Sequence, residues 1–336
     1  MDRMNPAPRS LLLLLLPLAA GCGGDSAGAG TPGVPLVLKD GVQTDWWDAA
    51  HTKKKMQGEV RGAKQVGDWN WWYEDQKPEK AAHFEDGVLD GPAIEWYPNG
   101  QMKIRQTLRR GKRTDVGTEW YENGQMKSEM TYVDDLPEGP SKDWHENGKL
   151  FHEGTRVKGL QEGRWITYHP TGEKAIEGDF KAGKQEGHFV SWHPNGKKSS
   201  EGDYKDGLAV GPWKRWYAGG EVESEGTFVD GRHEGLWTRW YENGQVWEKG
   251  VYKGGVVDGE YQSLSPGGAV LISGTYKAGK REGPWVYRKD DGSLDAQKSG
   301  VYAADARTGD LPPELATPME RPGEKPGEKP GDKEKK

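Results

Sequence analysis

The sequence predicts an all-β protein, an elongated antiparallel array of β-hairpins built from about ten copies of a 24-residue repeat. Three observations predict it. A glycine opens each copy at Gly67, Gly91, Gly139, Gly163, Gly187, Gly211, Gly235, Gly259 and Gly283, always whole multiples of 24 residues apart, with Asp115 the one interruption. An aromatic residue follows five positions later, at Trp72, Trp96, Trp120, Trp144, Tyr168, Trp192, Trp216 and Trp240. Two more glycine series mark turns: one includes Gly100, Gly124, Gly148, Gly196 and Gly244, each preceded by Asn, and the other includes Gly87, Gly111, Gly159, Gly183, Gly207 and Gly231. A period kept without insertion or deletion implies that every copy makes the same contacts with its neighbours.

Residues 1–21 read as a signal peptide. Arg3 and Arg9 supply the positive start, and Leu11 to Leu16 form an apolar run too short to span a membrane. Leu18-Ala19-Ala20-Gly21 before Cys22, the single cysteine, looks like a bacterial lipobox. That resemblance implies cleavage before Cys22 and its lipidation, hence a lipoprotein of the bacterial cell envelope. Gly23 in place of Asp at the next position favours the outer membrane. Residues 22–44, rich in Gly, Ala, Pro and Ser over most of their length, read as a lipidated flexible tether.

The repeat domain is placed at 45–302. Within one copy, two runs of five to nine residues, partly aromatic or β-branched, are separated by glycine turns and lack helical periodicity. Asn-Gly predicts a type I′ turn, in which both central residues take positive φ, and Asp-Gly at Asp206-Gly207 and Asp230-Gly231 predicts a similar one. The two tryptophans of Gly-x-Trp-x-x-Trp are three apart, so they point to opposite faces or a bulge intervenes. Gly154, Gly178, Gly202, Gly226, Gly250 and Gly274 recur inside the second strand, where they are expected to make room for a ring from an adjacent strand. Residues 303–336 end in Pro-Gly-Glu-Lys and Pro-Gly-Asp-Lys units and read as a disordered tail.

The charge is −6, and loss of residues 1–21 makes it one unit more negative, which argues against nucleic acid as a partner. His145, His169 and His193 occupy equivalent positions, two strands or roughly 10 Å apart, too far to share one metal ion. They stand where other copies carry Tyr97, Tyr121, Tyr217 and Tyr241 and read as planar fillers. The carboxylates of Glu162, Glu186, Glu234 and Glu282 recur beside the opening glycines, as structural groups do. No phosphate loop, nucleophile elbow or metal-ligand spacing stands out. No catalytic residue, metal or cofactor is assigned, and the chain is expected not to be an enzyme.

The stretch Glu225-Gly-Thr-Phe-Val-Asp-Gly-Arg-His-Glu-Gly-Leu-Trp-Thr-Arg-Trp-Tyr-Glu-Asn-Gly244 resembles the bacterial MORN-repeat variant, the family of YwqK-type antitoxin-like proteins. The resemblance covers roughly 56–302 and implies an antiparallel β-repeat ribbon with a non-catalytic interaction role. The expected partners are therefore the membrane, through Cys22, and another protein, in a toxin-neutralising or immunity-like role. The alternatives are a structural envelope scaffold or a polysaccharide- or peptidoglycan-binding module. Asp115, Asp134, Asp135 and Pro137 break the repeat and form the candidate binding patch. Trp96, Trp120, Trp144, Trp192, Trp216 and Trp240 form a candidate aromatic ladder that an open face would offer to a glycan.

Overall fold

The computed structural model describes residues 39–316. Among them are 23 β-strands, a single 3-10 turn at Pro313–Leu315 and no α-helix. Each strand pairs antiparallel with its neighbours in the chain, giving one uninterrupted meander from Gly41–Trp46 to Ala306–Gly309. Strands of nine and eight residues alternate through the array, as in Leu208–Trp216 and Val222–Val229. Cys22, the signal segment and the Pro-Gly repeats of the tail lie outside the described residues.

Of the two turns read from the sequence, Asp-Gly takes the expected type I′ geometry, as at Asp206-Gly207 and Asp230-Gly231, and Asn-Gly does not. The two-residue type I′ turn sits at the second glycine series: Asp86 and Gly87 have φ of 49° and 83°, and Glu85 pairs with Val88 across them. At Asn99-Gly100 only the glycine has positive φ, 88°. There the Gly100 N–H donates to the Tyr97 carbonyl and the Tyr97 N–H to Gln101, each at 2.8 Å, a type I turn closed by a left-handed glycine. Asn is selected for its side chain instead. Asn99 Oδ1 accepts the Gln101 N–H at 2.8 Å, while Nδ2 donates to the Glu122 carbonyl of the next copy at 2.7 Å.

The opening glycine sits in a bulge. Gly211 has φ of 68°, and the pairing skips from Glu201 opposite Lys214 to Asp203 opposite Val210, so three residues face Gly202 alone. The skip frees the Asp203 carbonyl, and the Trp213 indole N–H occupies it at 3.2 Å. The same bond recurs from Trp69, Trp165, Trp237 and Trp285 to the carbonyl ten residues earlier. A second register shift lies between Arg215 and Trp216, so both bulge and two-sided placement separate the tryptophans.

A Cβ on Gly202 would fall inside the Trp213 ring, and Gly58, Gly154, Gly178, Gly226 and Gly274 meet Trp69, Trp165, Phe189, Trp237 and Trp285 in the same way. The expected reason for the strand glycines therefore holds. Where the second strand instead carries Ala82, Gln106 or Met130, the opposing position shrinks to Ala93, Gly117 or Ser141. Bulk at one site is exchanged for bulk at the other. The rings form an edge-to-face chain from Phe180 through Phe189, Tyr204, Trp213 and Phe228 to Trp237, with centroids 4.9 to 5.7 Å apart. This chain is the core of the array's second half.

Two boundaries move. The strand Gly41–Trp46 begins inside the segment assigned to the tether, because alternating Val42, Thr44 and Trp46 pair with Lys54–Arg61. The hairpin of Gly300–Ala303 and Ala306–Gly309 lies beyond the 302 boundary, because Tyr302 is buried and Ala304-Asp305 makes another positive-φ turn.

Gly202→Ala is expected to lower stability by about 1–3 kcal/mol through overpacking, whereas Gly202→Ala combined with Trp213→Ala recreates the Ala82/Ala93 pair. A denaturant-unfolding double-mutant cycle should give a favourable coupling above about 1 kcal/mol; strict additivity would contradict the ring-over-glycine account. Asp115 holds the bulge position with φ of 60°. Asp115→Gly should therefore raise stability by about 1 kcal/mol in the same assay.

Candidate functional site

The recurring polar side chains are consumed between copies. Tyr97 donates its hydroxyl proton to the Trp120 carbonyl at 2.9 Å, and Tyr73, Tyr121, Tyr217 and Tyr241 make the same bond to the residue 23 positions on. His145, His169 and His193 replace tyrosine in this role, their Nε2 atoms lying 2.8 to 3.0 Å from the carbonyls of Tyr168, Trp192 and Trp216. A carbonyl only accepts, so each Nε2 carries the proton. The repeated carboxylates cap turns: Glu162, Glu186 and Glu234 accept the N–H of Ala182, Asp206 and Gly254 in the following copy at 2.8 to 3.0 Å.

The candidate patch is divided by the fold. Asp115 pairs with Tyr132, and Tyr132 with Pro137, so these three share one row across three strands. Asp134 and Asp135, with φ of 49° and 71°, replace the usual x-Gly of a type I′ turn. Asp135 is already engaged: its Oδ1 accepts the Arg113 backbone N–H at 2.9 Å and Nε at 3.3 Å. Asp305 repeats the arrangement with Arg281, and there the backbone N–H and the guanidinium of Arg281 hold the carboxyl below its usual range. Among the four, Asp115, Asp134 and Asp135 are exposed, and Asp134 lies 3.9 Å from Lys112.

The six tryptophans of the ladder are all half-buried. Cations lie against several rings: Arg105 over Trp120, Lys174 over Trp192, and Lys198 and Lys214 over Trp216, each 5.9 to 6.0 Å from the centroid.

Sequence reading missed a row of charge on the face that carries these residues. Glu129, Glu153, Glu177, Glu201 and Glu225 lie in one lateral line, alternating with Lys142, Ile166, Val190 and Lys214. The 24-residue spacing of these glutamates was its available signal. Most are neutralised locally, as by Arg164 on Glu177 at 2.8 Å and Lys214 on Glu225 at 3.2 Å. Burial alone would raise the Glu177 carboxyl, but Arg164 and Lys174 outweigh it and hold it low. Around Trp216, a shallow groove of about 500 Å³ is lined by His188, Glu201, Asp203, Lys214 and Leu236.

Two histidines are driven in opposite directions. His188 is raised, chiefly by its 2.8 Å bond to Asp203 and also by Glu201. His233, stacked 3.9 Å from Trp237, is lowered by burial and by Arg239. Pairing at His188 thus stabilises fully below the unfolded imidazole value of about 6.5 and is lost as pH rises through the folded value. At His233 the stability is complete above about 6.5 and is lost as pH falls through the lower folded value. NMR titration should place His188 above and His233 below that reference, and His188→Gln should leave the His233 transition unmoved.

Seven segments match the MORN repeat variant: residues 89–108, 116–134, 137–158, 161–182, 185–206, 209–230 and 234–253. No curated protein matches the chain. Among solved structures, a TcdB2–TccC3–Cdc42 crystal structure is similar at 8% identity and a TM-score of 0.17, covering 79% of this chain and 17% of that chain. A Photorhabdus luminescens Tc holotoxin pore is similar at 11% identity and a TM-score of 0.19, covering 80% of this chain and 15% of that chain. The chain thus spans under a fifth of the length of either. Residues 89–253 thus match the MORN repeat variant seven times over, on strands that form repeating hairpins.

Proposed function

We propose that this chain is a non-catalytic, lipid-anchored envelope protein whose repeat sheet binds another protein. One observation carries the reading. Tyrosine, histidine, asparagine and the turn carboxylates are spent on bonds between copies. What varies from copy to copy is the surface beside the turns and on the face opposite the aromatic chain. A scaffold of this kind holds a long row of positions rigid while leaving their identity free, which suits recognition of a large partner. A role in neutralising a toxin is one form of that binding. The MORN match supports a binding array and is silent on its target.

Stacking of a glycan on the tryptophan ladder is the weaker alternative, since the rings are half-buried and cations already lie over three of the six, Trp120, Trp192 and Trp216. Anchoring is expected through Cys22 and membrane partition through its acyl chains.

Cys22→Ser should move the protein from the membrane fraction to the soluble fraction, and unchanged retention would overturn the anchor. Affinity capture from the producer's envelope extract with residues 23–336 should recover one protein at near-stoichiometric yield. Recovery of glycan alone would transfer the assignment to wall binding.

A further inference from the structure

The face opposite the aromatic chain changes character in one place. Val133 pairs with Leu136 and Val157 with Leu160, each pair flanking a two-residue turn. Paired residues share a face, and Tyr132, one residue before Val133, points to the aromatic side, so Val133 and Leu136 point away from it. These four side chains retain 40 to 53% of their exposure. Val116, 51% exposed, and the exposed Pro140 continue the patch inward along the sheet. At the corresponding positions the preceding copy carries Arg109 and Lys112, and the following copy carries Lys181 and Lys184, all exposed. Leu208 and Val229 are also exposed, but each is paired with a cation, Lys205 or Arg232. The six residues therefore form an apolar island between two cationic turn edges.

We infer that this island is the protein-contacting surface, and that its occupant is a polypeptide segment with an apolar centre and acidic flanks. The inference rests on the protein-binding reading above. Contiguous apolar surface rimmed by charge is what interaction sites present to solvent, and aliphatic anchors desolvated at the centre supply most of the binding energy of such contacts. The flanks select the partner's sign. Docking a second copy on the same island would set cationic turns against cationic turns in either direction of the ribbons, because both flanks carry the same charge. An acidic segment meets both edges with opposite charge, and in the glutamate row nearest the island Lys142 stands between Glu129 and Glu153, 3.6 Å from the latter. Asp135 does not oppose it, since Arg113 holds that carboxylate, and Asp134 is offset by Lys112.

The test uses residues 23–336 as bait for a displayed library of short random peptides. Selected peptides should contain two or more aliphatic or aromatic residues flanked by Asp or Glu. Their affinity should fall at least about tenfold with Leu136→Asp and Leu160→Asp together, and also, more strongly at low salt, with Arg109→Glu and Lys184→Glu. Leu208→Asp with Leu236→Asp should leave it unchanged. All four replaced leucine sites are half-exposed or more, and circular dichroism checks that each variant keeps its sheet. Basic or neutral winners, equal losses with the Leu208/Leu236 control, or no selectable peptide would overturn the inference. So would a concentration-dependent dimer in sedimentation that the Leu136/Leu160 variant abolishes, which would make a second copy the occupant. If the envelope partner is captured equally by wild type and the Leu136/Leu160 variant, protein binding stands and this surface falls.

Discussion

A ring laid across a neighbouring strand, in the space left by a missing Cβ, is the contact on which this sheet depends. An isolated hairpin is marginal in water, and a single open sheet has no opposing layer to supply a core. Here the core is made within the layer. Each of Trp69, Trp165, Trp213, Trp237 and Trp285 covers a glycine of the preceding strand and donates its N–H to a carbonyl released by the bulge beside it. One arrangement thus buries aromatic area, worth roughly 1.5–3 kcal/mol per large side chain, and satisfies a backbone group that the bulge would otherwise leave orphaned.

That contact also fixes the period. The ring needs a bulge, the bulge needs a left-handed residue, and the left-handed residue sets where the strand re-enters its register. The hydroxyls of Tyr73, Tyr97, Tyr121, Tyr217 and Tyr241 and the amide of each turn asparagine then reach the copy 23 residues on. Insertion of one residue would break all three at once, which explains a repeat without slippage. Replacement within the motif is tolerated only where the physical role survives. Histidine keeps both the ring and the donor, Asp135 and Asp305 take the left-handed turn-glycine position with an arginine on the carboxylate, and Ala93 with Ala82 replaces ring with glycine at lower bulk.

The same logic shapes the surface. Because the inter-copy bonds absorb the repeated polar groups, what remains outside is written copy by copy. The apolar island beside Asp134 and the glutamate row at 24-residue spacing are both products of that remainder. The aspartates that break the repeat hold a bulge and a turn, Asp115 the first and Asp134-Asp135 the second, and exposed apolar side chains lie around them.

From the residues alone came the all-β class, the 24-residue unit, the hairpin order and the purpose of the strand glycines, since each follows from local periodicity and from what glycine permits. The geometry of the Asn-Gly turn did not, because Asn-Gly and Asp-Gly are both compatible with positive φ, and only the pairing of the flanking residues shows which glycine acts alone. Nor could the sequence assign a face to each side chain, since two register shifts per copy reset the alternation that strand reading relies on. Which carboxylates are engaged, which tryptophans are covered and which valines and leucines are left to solvent are relations between residues some 20 positions apart. Only the stacked sheet brings those residues together, and so only the tertiary structure decided which side chains are left uncovered.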